Sequence, residues 1–419
     1  MGIRNRGVVV CAVGLALVVG LVAAGGKKPT GSWTQWGGPT MEFRADSTGL
    51  KSEWPTEGPK ELWARDLGDG YSAVLIENGR AYTMYREGDD EIVVCLDATT
   101  GKTIWQHAYA ATPREGHVHQ FGDGPRATPL ISGNLLFTIG VAGHMHALDK
   151  KAGQVVWSHA LWDEFQGTVL DHGYSSSPVT YKDSVLVLVG GPGNSVIAFR
   201  QKDGAVKWKA HDFKNSYSTP RVLAVDGEEQ LVAFMAEEAI GLDPDDGRLR
   251  WRFPHQNQWG QNVSMPVMAD QHHMLISSPE AGAKGLKLTN VEGGETKVEE
   301  LWTTRKIQFY HVNTVRDGDW VYGSTGTMGP AFLASINIKT GEIGWRERDF
   351  AKANCVLADG KLYVLDEDGN LGVTTATPQD LVVHSKVKFL DGVAWTVPTI
   401  AGTTMYVRDQ KKLRAVSLS

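Results

Sequence analysis

Val94-Cys95-Leu96-Asp97-Ala98-Thr99-Thr100-Gly101-Lys102-Thr103-Ile104-Trp105 is the stretch on which the fold turns. It reads as an apolar strand ending in Asp, a short turn ending in Gly, and a second strand ending in Trp. The same pattern runs from Ala147-Leu148-Asp149 through Gly153 to Trp157 and from Ala198-Phe199-Arg200 through Gly204 to Trp208. It recurs from Gly241-Leu242-Asp243 through Gly247 to Trp251, and from Ser335-Ile336-Asn337 through Gly341 to Trp345. A stretched copy holds Lys287-Leu288-Thr289, Gly293 and Trp302. Each residue type has a physical task. Glycine takes a positive φ in a tight hairpin turn, the Asp before it can accept from the turn amides, and the indole is a large flat anchor for a neighbouring unit.

The repeat tryptophans stand at 63, 105, 157, 208, 251, 302 and 345, spacings of 42 to 52 residues, which is the period of a propeller blade. Upstream of each copy lies a second element: a start rich in Ser, Thr or Asn, a strand, a polar turn and another strand. Ala127-Thr128-Pro129 before Leu135-Leu136-Phe137 and Ser176-Ser177-Pro178 before Val185-Leu186-Val187 are examples. Each unit therefore holds four short strands, A to D, as in one blade. Blades are expected near 64–105, 106–157, 158–208, 209–251, 252–302, 303–345 and 346–386, with an eighth from 387. The eighth ends after Leu413-Arg414-Ala415-Val416 without a strand D. Pro59-Lys60-Glu61-Leu62-Trp63 has the look of that strand, and borrowing it would close the ring and remove the free sheet edges. The expected fold is all-β: an eight-bladed β-propeller of four-stranded antiparallel blades over 59–419, closed by an N-terminal strand. Seven blades would leave 346–386 unused, although Gly372-Val373-Thr374 in that segment is followed by Pro378 and no Trp.

Residues 1–24 read as a signal peptide or membrane anchor. Arg4 and Arg6 are a basic start, Val8 to Ala24 is apolar, and Val22 and Ala24 fit a small-residue cleavage site. The apolar run is near the lower limit for spanning a bilayer, so the one expected membrane contact, if uncleaved, is residues 7–24. Cys11 lies within the apolar run, too early to carry a lipid after cleavage. The chain is thus expected to be exported, periplasmic or secreted. Cys95 and Cys355 lie in strand-like runs of different blades and are expected to be buried free thiols. Residues 25–58, with Trp33, Trp36-Gly37-Gly38-Pro39 and Trp54-Pro55, are expected to pack as an extended lead across the propeller surface. A net charge of −6 without any basic block argues against nucleic acid as a partner.

The Asp-x-x-x-Gly-x-x-x-Trp copies, often with Ala two before the Asp, resemble the tryptophan-docking repeat of pyrroloquinoline quinone (PQQ)-like propellers. The lead Trp33-Thr34-Gln35-Trp36-Gly37-Gly38-Pro39, with Thr48-Gly49-Leu50 and Gly58-Pro59, looks like the opening of exported bacterial proteins of that family. The resemblance implies two branches. Quinoprotein dehydrogenases bind PQQ and calcium in the central funnel; the propeller subunit of the outer-membrane β-barrel assembly machine is a binding scaffold. The alcohol dehydrogenases of the first branch carry an adjacent cysteine pair beside the quinone and are longer, and this chain has no Cys-Cys. No local motif fixes calcium ligands or a catalytic residue.

Two groups of residues remain for chemistry. Residues just before each strand A should rim the funnel: Arg126, Tyr174, Tyr217, Asn262, His311, Asn313, Asn354 and Trp395, a polar and aromatic set suited to a ligand or a peptide edge. Arg126 suits a bidentate carboxylate, or equally the carbonyls of its own turn. Many histidines fall in the D-to-A connections; His117, His119 and His172, with His144 from a B-to-C turn, are the candidates for a transition metal, although no carboxylate stands at a recognisable spacing. Asp243-Pro244-Asp245-Asp246-Gly247 opens like a calcium loop but lacks the closing Glu. The reading is a monomeric, exported scaffold that binds an envelope protein or peptide, without catalytic residues and with no cofactor expected. The alternatives are a PQQ-dependent oxidoreductase and a metal-binding propeller.

Overall fold

The computed structural model describes residues 1–2, 31–327 and 329–419; the signal-peptide expectation for 1–24 lies almost wholly outside them. Eight antiparallel sheets follow one another along the chain. Seven are built from consecutive strands within 75–110, 130–160, 179–210, 221–254, 267–304, 315–347 and 353–388, which we number blades 1 to 7. Blade 8 combines Thr399–Ala401, Thr404–Arg408 and Lys412–Ser417 with the N-terminal strand Glu61–Asp66, which pairs antiparallel with Lys412–Ser417. The expected closure is present, and the eight-bladed propeller stands. Among the described residues no helix is long and apolar enough to cross a membrane.

Burial follows position in the blade. Every residue of Ser184–Leu188, a strand B, is buried, whereas Val206–Ala210, the strand D of the same blade, is mostly exposed or half-buried. Inner strands are packed on both faces by neighbouring blades, which explains their continuous apolar runs. Cys95 and Cys355 are buried free thiols in such strands.

The repeat residues hold the ring together. Gly101, Gly153, Gly204, Gly247 and Gly341 all have φ between 70° and 78°. Asp97 Oδ1 accepts from the amides of Thr99 and Thr100 at 3.0 and 2.8 Å, and Asp149 and Asn337 repeat the arrangement. The turn then serves as a dock. Trp105 lies on Gly153, where a Cβ would come within 2.5 Å of the indole, and its Nε1 donates to Lys150 O at 3.1 Å. Trp63, Trp157, Trp208, Trp302 and Trp345 likewise donate to turn carbonyls of the following blade at 2.8–3.2 Å. Glycine is thus required twice at this position, by φ and by the close approach of an indole. Trp251 differs: its Nε1 donates to Gln230 Oε1 within its own blade, and blade 5 meets it with the long hairpin Gly282–Val291 and Glu295–Thr304. In blade 7, Ser385 faces Val373 where other blades carry Trp. There the lead compensates, with Trp54 N donating to Ser385 Oγ and its ring packed near Tyr363.

The lead crosses one face of the ring. Trp33 exchanges backbone bonds with Ile76 of blade 1, and Thr34 O accepts from Ile131 N of blade 2. Thr40 O accepts from Arg221 of blade 4. Glu42 and Arg44 bind Arg316 and Asp317 of blade 6. Arg44–Ala45 then adds a parallel fifth strand to blade 7. All these contacts fall on the strand A of their blades, so the lead spans the axial channel from one side. Gly37 and Gly38 have positive φ, and a Cβ on them would approach Met41 Cα at 2.8 Å and the Trp33 ring at 3.0 Å. That is the physical content of the Trp-Gly-Gly-Pro motif.

Candidate functional site

A ring of hydrogen bonds circles the axis just before the strands A. Ala73 N donates to Thr128 Oγ1, Thr128 N to Ser177 Oγ, and Ser177 N to Thr219 Oγ1. Ser218 Oγ reaches Ser264 O, Ser264 Oγ reaches Val312 O, and Asn313 N donates to Asn354 Oδ1. Asn354 Nδ2 donates to Trp395 O, and Thr396 Oγ1 closes the circuit on Tyr71 O. The Ser/Thr/Asn-rich strand starts are therefore a girdle that stitches each blade to the next. Buried hydroxyls and amides have to find partners, and here they find the neighbouring backbone.

Inside the girdle lies a central cavity of about 390 Å³. Trp36, Met41, Glu42 and Phe43 from the lead form its floor. Tyr71, Phe121, Arg126, His172, Tyr217, Tyr310, His311, Lys352 and Trp395 contribute to its wall and mouth. Trp395 is the hub of the aromatics: Tyr71 and Phe121 lie 5.3 and 5.6 Å from it, and His311 is parallel to it at 6.5 Å. Its Nε1 donates to Glu367 at 3.1 Å. Desolvation by the cavity wall, helped by Lys352, His172 and Arg126, lowers the His311 imidazole from its ordinary value, although the residue keeps one side exposed to water. Burial likewise lifts the phenols of Tyr71 and Tyr310 to about 12.

Six of the eight residues expected to rim the funnel line this cavity: Arg126, Tyr217, His311, Asn313, Asn354 and Trp395. Two do not. Tyr174 is fully buried with its hydroxyl on Leu188 O at 2.6 Å, and Asn262 is fully buried with Nδ2 on Met235 O at 2.6 Å. Both turn back toward carbonyls at the ends of the strands B, because a strand start alternates direction residue by residue. Arg126 spends Nε on His172 O at 2.7 Å and Nη2 on Gly122 O at 2.9 Å. Its fork is thus engaged by loop carbonyls, and its guanidinium lies over the Tyr71 ring. Tyr217 donates to the Asp171 carboxylate. The strand starts mark these residues in the sequence; the floor from the lead, and Phe121, Tyr71, Tyr310 and Lys352, carry no such mark, because nothing in the linear pattern announces which loops meet on the axis.

The four metal candidates separate. His117 and His119 stand together, and the carboxylate thought missing is Asp123, 3.2 Å from His117 Nε2 and 2.7 Å from His119 Nδ1. His172 packs on Phe121 and Tyr217. His144 sits in a different cluster between blades 1 and 2, beside Tyr109, with His107 and His146. Asp243 is a turn acceptor for Asp245 N, as a C-to-D turn requires.

The charge of the cavity wall decides whether it could hold the quinone–calcium pair. Among the described residues its lining carries four cationic side chains, Arg126, Arg221, Arg316 and Lys352, and one carboxylate, Glu42. Glu42 is tied to Arg316 at 3.0 Å and stands 4.0 Å from Arg221. Calcium takes several hard oxygen donors, carboxylates foremost, and this wall offers neutral amides and hydroxyls, with its one carboxylate already tied to arginine. Neither buried cysteine lines the cavity. The residues present do not fit the pair.

Tryptophan-on-glycine docking at five of the seams between eight blades defines a PQQ-like repeat propeller. The family model described as outer membrane protein assembly factor BamB matches residues 89–347, more than half of the chain, and the chain belongs to that family. It is similar to the outer membrane protein assembly factor BamB of Yersinia pestis, 25% identical over 342 residues that cover 77% of this chain and 72% of that protein. It is also similar to the quinoprotein alcohol dehydrogenase PedH of Pseudomonas putida, 28% identical over 138 residues, 32% of this chain and 22% of that one. Among solved structures, BamB from Moraxella catarrhalis superposes with a TM-score of 0.58 at 16% identity, covering 85% of this chain and 99% of that one. The quinohemoprotein alcohol dehydrogenase of Comamonas testosteroni superposes at 0.62 with 11% identity, covering 92% and 80%. Likeness at these identities concerns the fold.

Proposed function

We propose that this chain is an exported binding scaffold of the cell envelope that acts in outer-membrane protein assembly and receives a partner protein at the open end of its central cavity. One observation carries the reading: a cavity floored by the chain's own lead, aromatic in its wall, with four cations against a single carboxylate that is already paired. The whole chain is acidic, at −6, so this local excess of positive charge selects an acidic partner segment by electrostatic complementarity. The aromatic wall offers an apolar anchor site of the kind that dominates interface energetics. The extent of the match to the assembly factor of Yersinia pestis, against the short match to the dehydrogenase, supports the same side.

The test is a photo-crosslinking amino acid at Gln120, beside the mouth, in cells that make the protein. A discrete adduct with one envelope assembly protein is expected, weakened at least about tenfold by Lys352→Glu. No adduct, or adducts indifferent to the charge reversal, would contradict the reading.

A further inference from the structure

The loop between blades 1 and 2 carries a constellation that neither the fold nor the scaffold role requires. His117 Nε2 and His119 Nδ1 both face Asp123 Oδ1, at 3.2 and 2.7 Å, and the three ligand atoms lie within 4.8 Å of one another. The His117 side chain is 3% exposed, and its Nε2 has no hydrogen-bond partner despite the nearby carboxylate. A buried imidazole nitrogen without a partner costs free energy, so its retention needs a cause. His119 is 67% exposed, which leaves one side of the group open to water.

We propose that His117, His119 and Asp123 form a binding site for a late first-row divalent transition ion, with Zn2+ as the type, whose fourth position is open to solvent. Two imidazoles and a carboxylate are the donor set such ions take, with bonds of about 2.0–2.2 Å that set neighbouring ligand atoms about 3.3 Å apart. The His117–Asp123 separation of 3.2 Å is already close to that value, and the 2.7 Å His119–Asp123 contact is a hydrogen bond that an ion would replace and open by about 0.6 Å. The loop is held in place around them. Val118 N donates to Asp171 O, and Asp123 N to Asp69 Oδ2 at 3.0 Å. Gly122, with φ of 81°, is pressed so close that a Cβ would meet the Asp69 carboxylate at 2.7 Å. Asp69 thus fixes the backbone of a ligand from outside, as outer-shell carboxylates do, and its Oδ1 is itself buried and unpartnered.

The site is coupled to the cavity by position. Phe121 sits between the second and third ligands and packs on Trp395 and His172 in the cavity wall. An ion that clamps His119 to Asp123 therefore also pins the phenyl ring that forms one side of the mouth. The site would stiffen the wall at which the partner segment is received.

The experiment is a calorimetric titration of Zn2+ into the full chain, purified in mild detergent with an affinity tag free of histidine and stripped with a chelator. Tryptophan emission is followed in parallel, and Co2+ serves as the spectroscopic stand-in. One saturable site is expected, with the intense visible absorption of four-coordinate Co2+ and a change in tryptophan emission. His119→Ala, at an exposed position, should weaken binding by at least about tenfold, as should Asp123→Asn. His384→Ala, on the outer strand of blade 7, should leave it unchanged. Absence of a saturable site, or equal affinity in His119→Ala and Asp123→Asn, would overturn the assignment.

Discussion

At the scale of the residue, the most informative groups are those whose surroundings were invisible in the chain order. Glu91 begins as one of two acids at the start of the strand Asp90–Asp97, where a linear reading would leave it in solvent. Folding carries it into the seam with blade 2, where it accepts from Val141 N and the Tyr109 hydroxyl, both at 2.8 Å. Burial pushes its carboxyl up to about 7, outweighing the hydrogen bonds that pull it down. The ordinary value is 4.5, so the fold favours the protonated form. That contribution is complete below about pH 4.5 and is lost as pH rises through 7. Replacing Glu91 with Gln removes the charge and keeps an acceptor for Val141 N. Urea unfolding of Glu91→Gln should therefore gain on the native chain as pH rises from 5 to 8, by on the order of 3 kcal/mol across the window. Parallel pH profiles for the two chains would show that Glu91 ionises in the fold as it does in the unfolded chain, and would contradict the burial argument. The neighbouring His146, pushed down to about 4 by burial and by His107 and His144, acts with the opposite sign: its share of the stability is lost as pH falls below about 6.5.

At the scale of the element, the unit is the dock between one blade's tryptophan and the next blade's turn. Here the sequence was most legible, because the period and the residue types repeat. The Gly that a hairpin needs for φ and the Trp that a blade needs as an anchor are the same pair that touch. Trp157 shows the pair at full strength: 8% exposed, seated on Gly204, and bonded to Gln201 O at 2.8 Å. Trp157→Ala should cost about 3–5 kcal/mol in urea unfolding, whereas Trp259→Ala, at an exposed ring outside any dock, should stay within about 0.5 kcal/mol. Equal effects would remove the dock as the source of cohesion. What the pattern did not reveal was how its exceptions are repaired. Trp251 turns to Gln230 because blade 5 meets it with a long hairpin in place of a short turn. Blade 7 lacks a docking Trp because Trp54 of the lead binds Ser385 there. Both repairs join residues far apart in sequence, beyond the reach of a local motif.

At the scale of the whole molecule, closure was legible and the axial site only in part. A missing strand at one end and a strand-like segment at the other imply each other, and Glu61–Asp66 pairs as that logic requires. The axial residues were approached through the strand starts, which found the girdle and six members of the cavity wall. Whether a side chain at such a start faces the axis or the blade interior depends on a one-residue phase, and Tyr174 and Asn262 fall on the inner side of it. The floor could not be foreseen, since it depends on the path of the lead between blades 1, 2, 4, 6 and 7. Together these features make a cup with cations and aromatics in its wall and without the anionic donors that calcium takes. The same architecture elsewhere hosts dehydrogenases, so the fold does not decide the activity; the wall of the cup does.

The most direct test is a titration of the full chain with PQQ and calcium, following tryptophan emission, to which Trp395 and Trp36 in the cavity contribute, together with dye-linked oxidation of an alcohol. The account expects no saturable binding up to high micromolar quinone and no turnover. Saturable micromolar binding with alcohol-dependent dye reduction would contradict it and make the cup an active site.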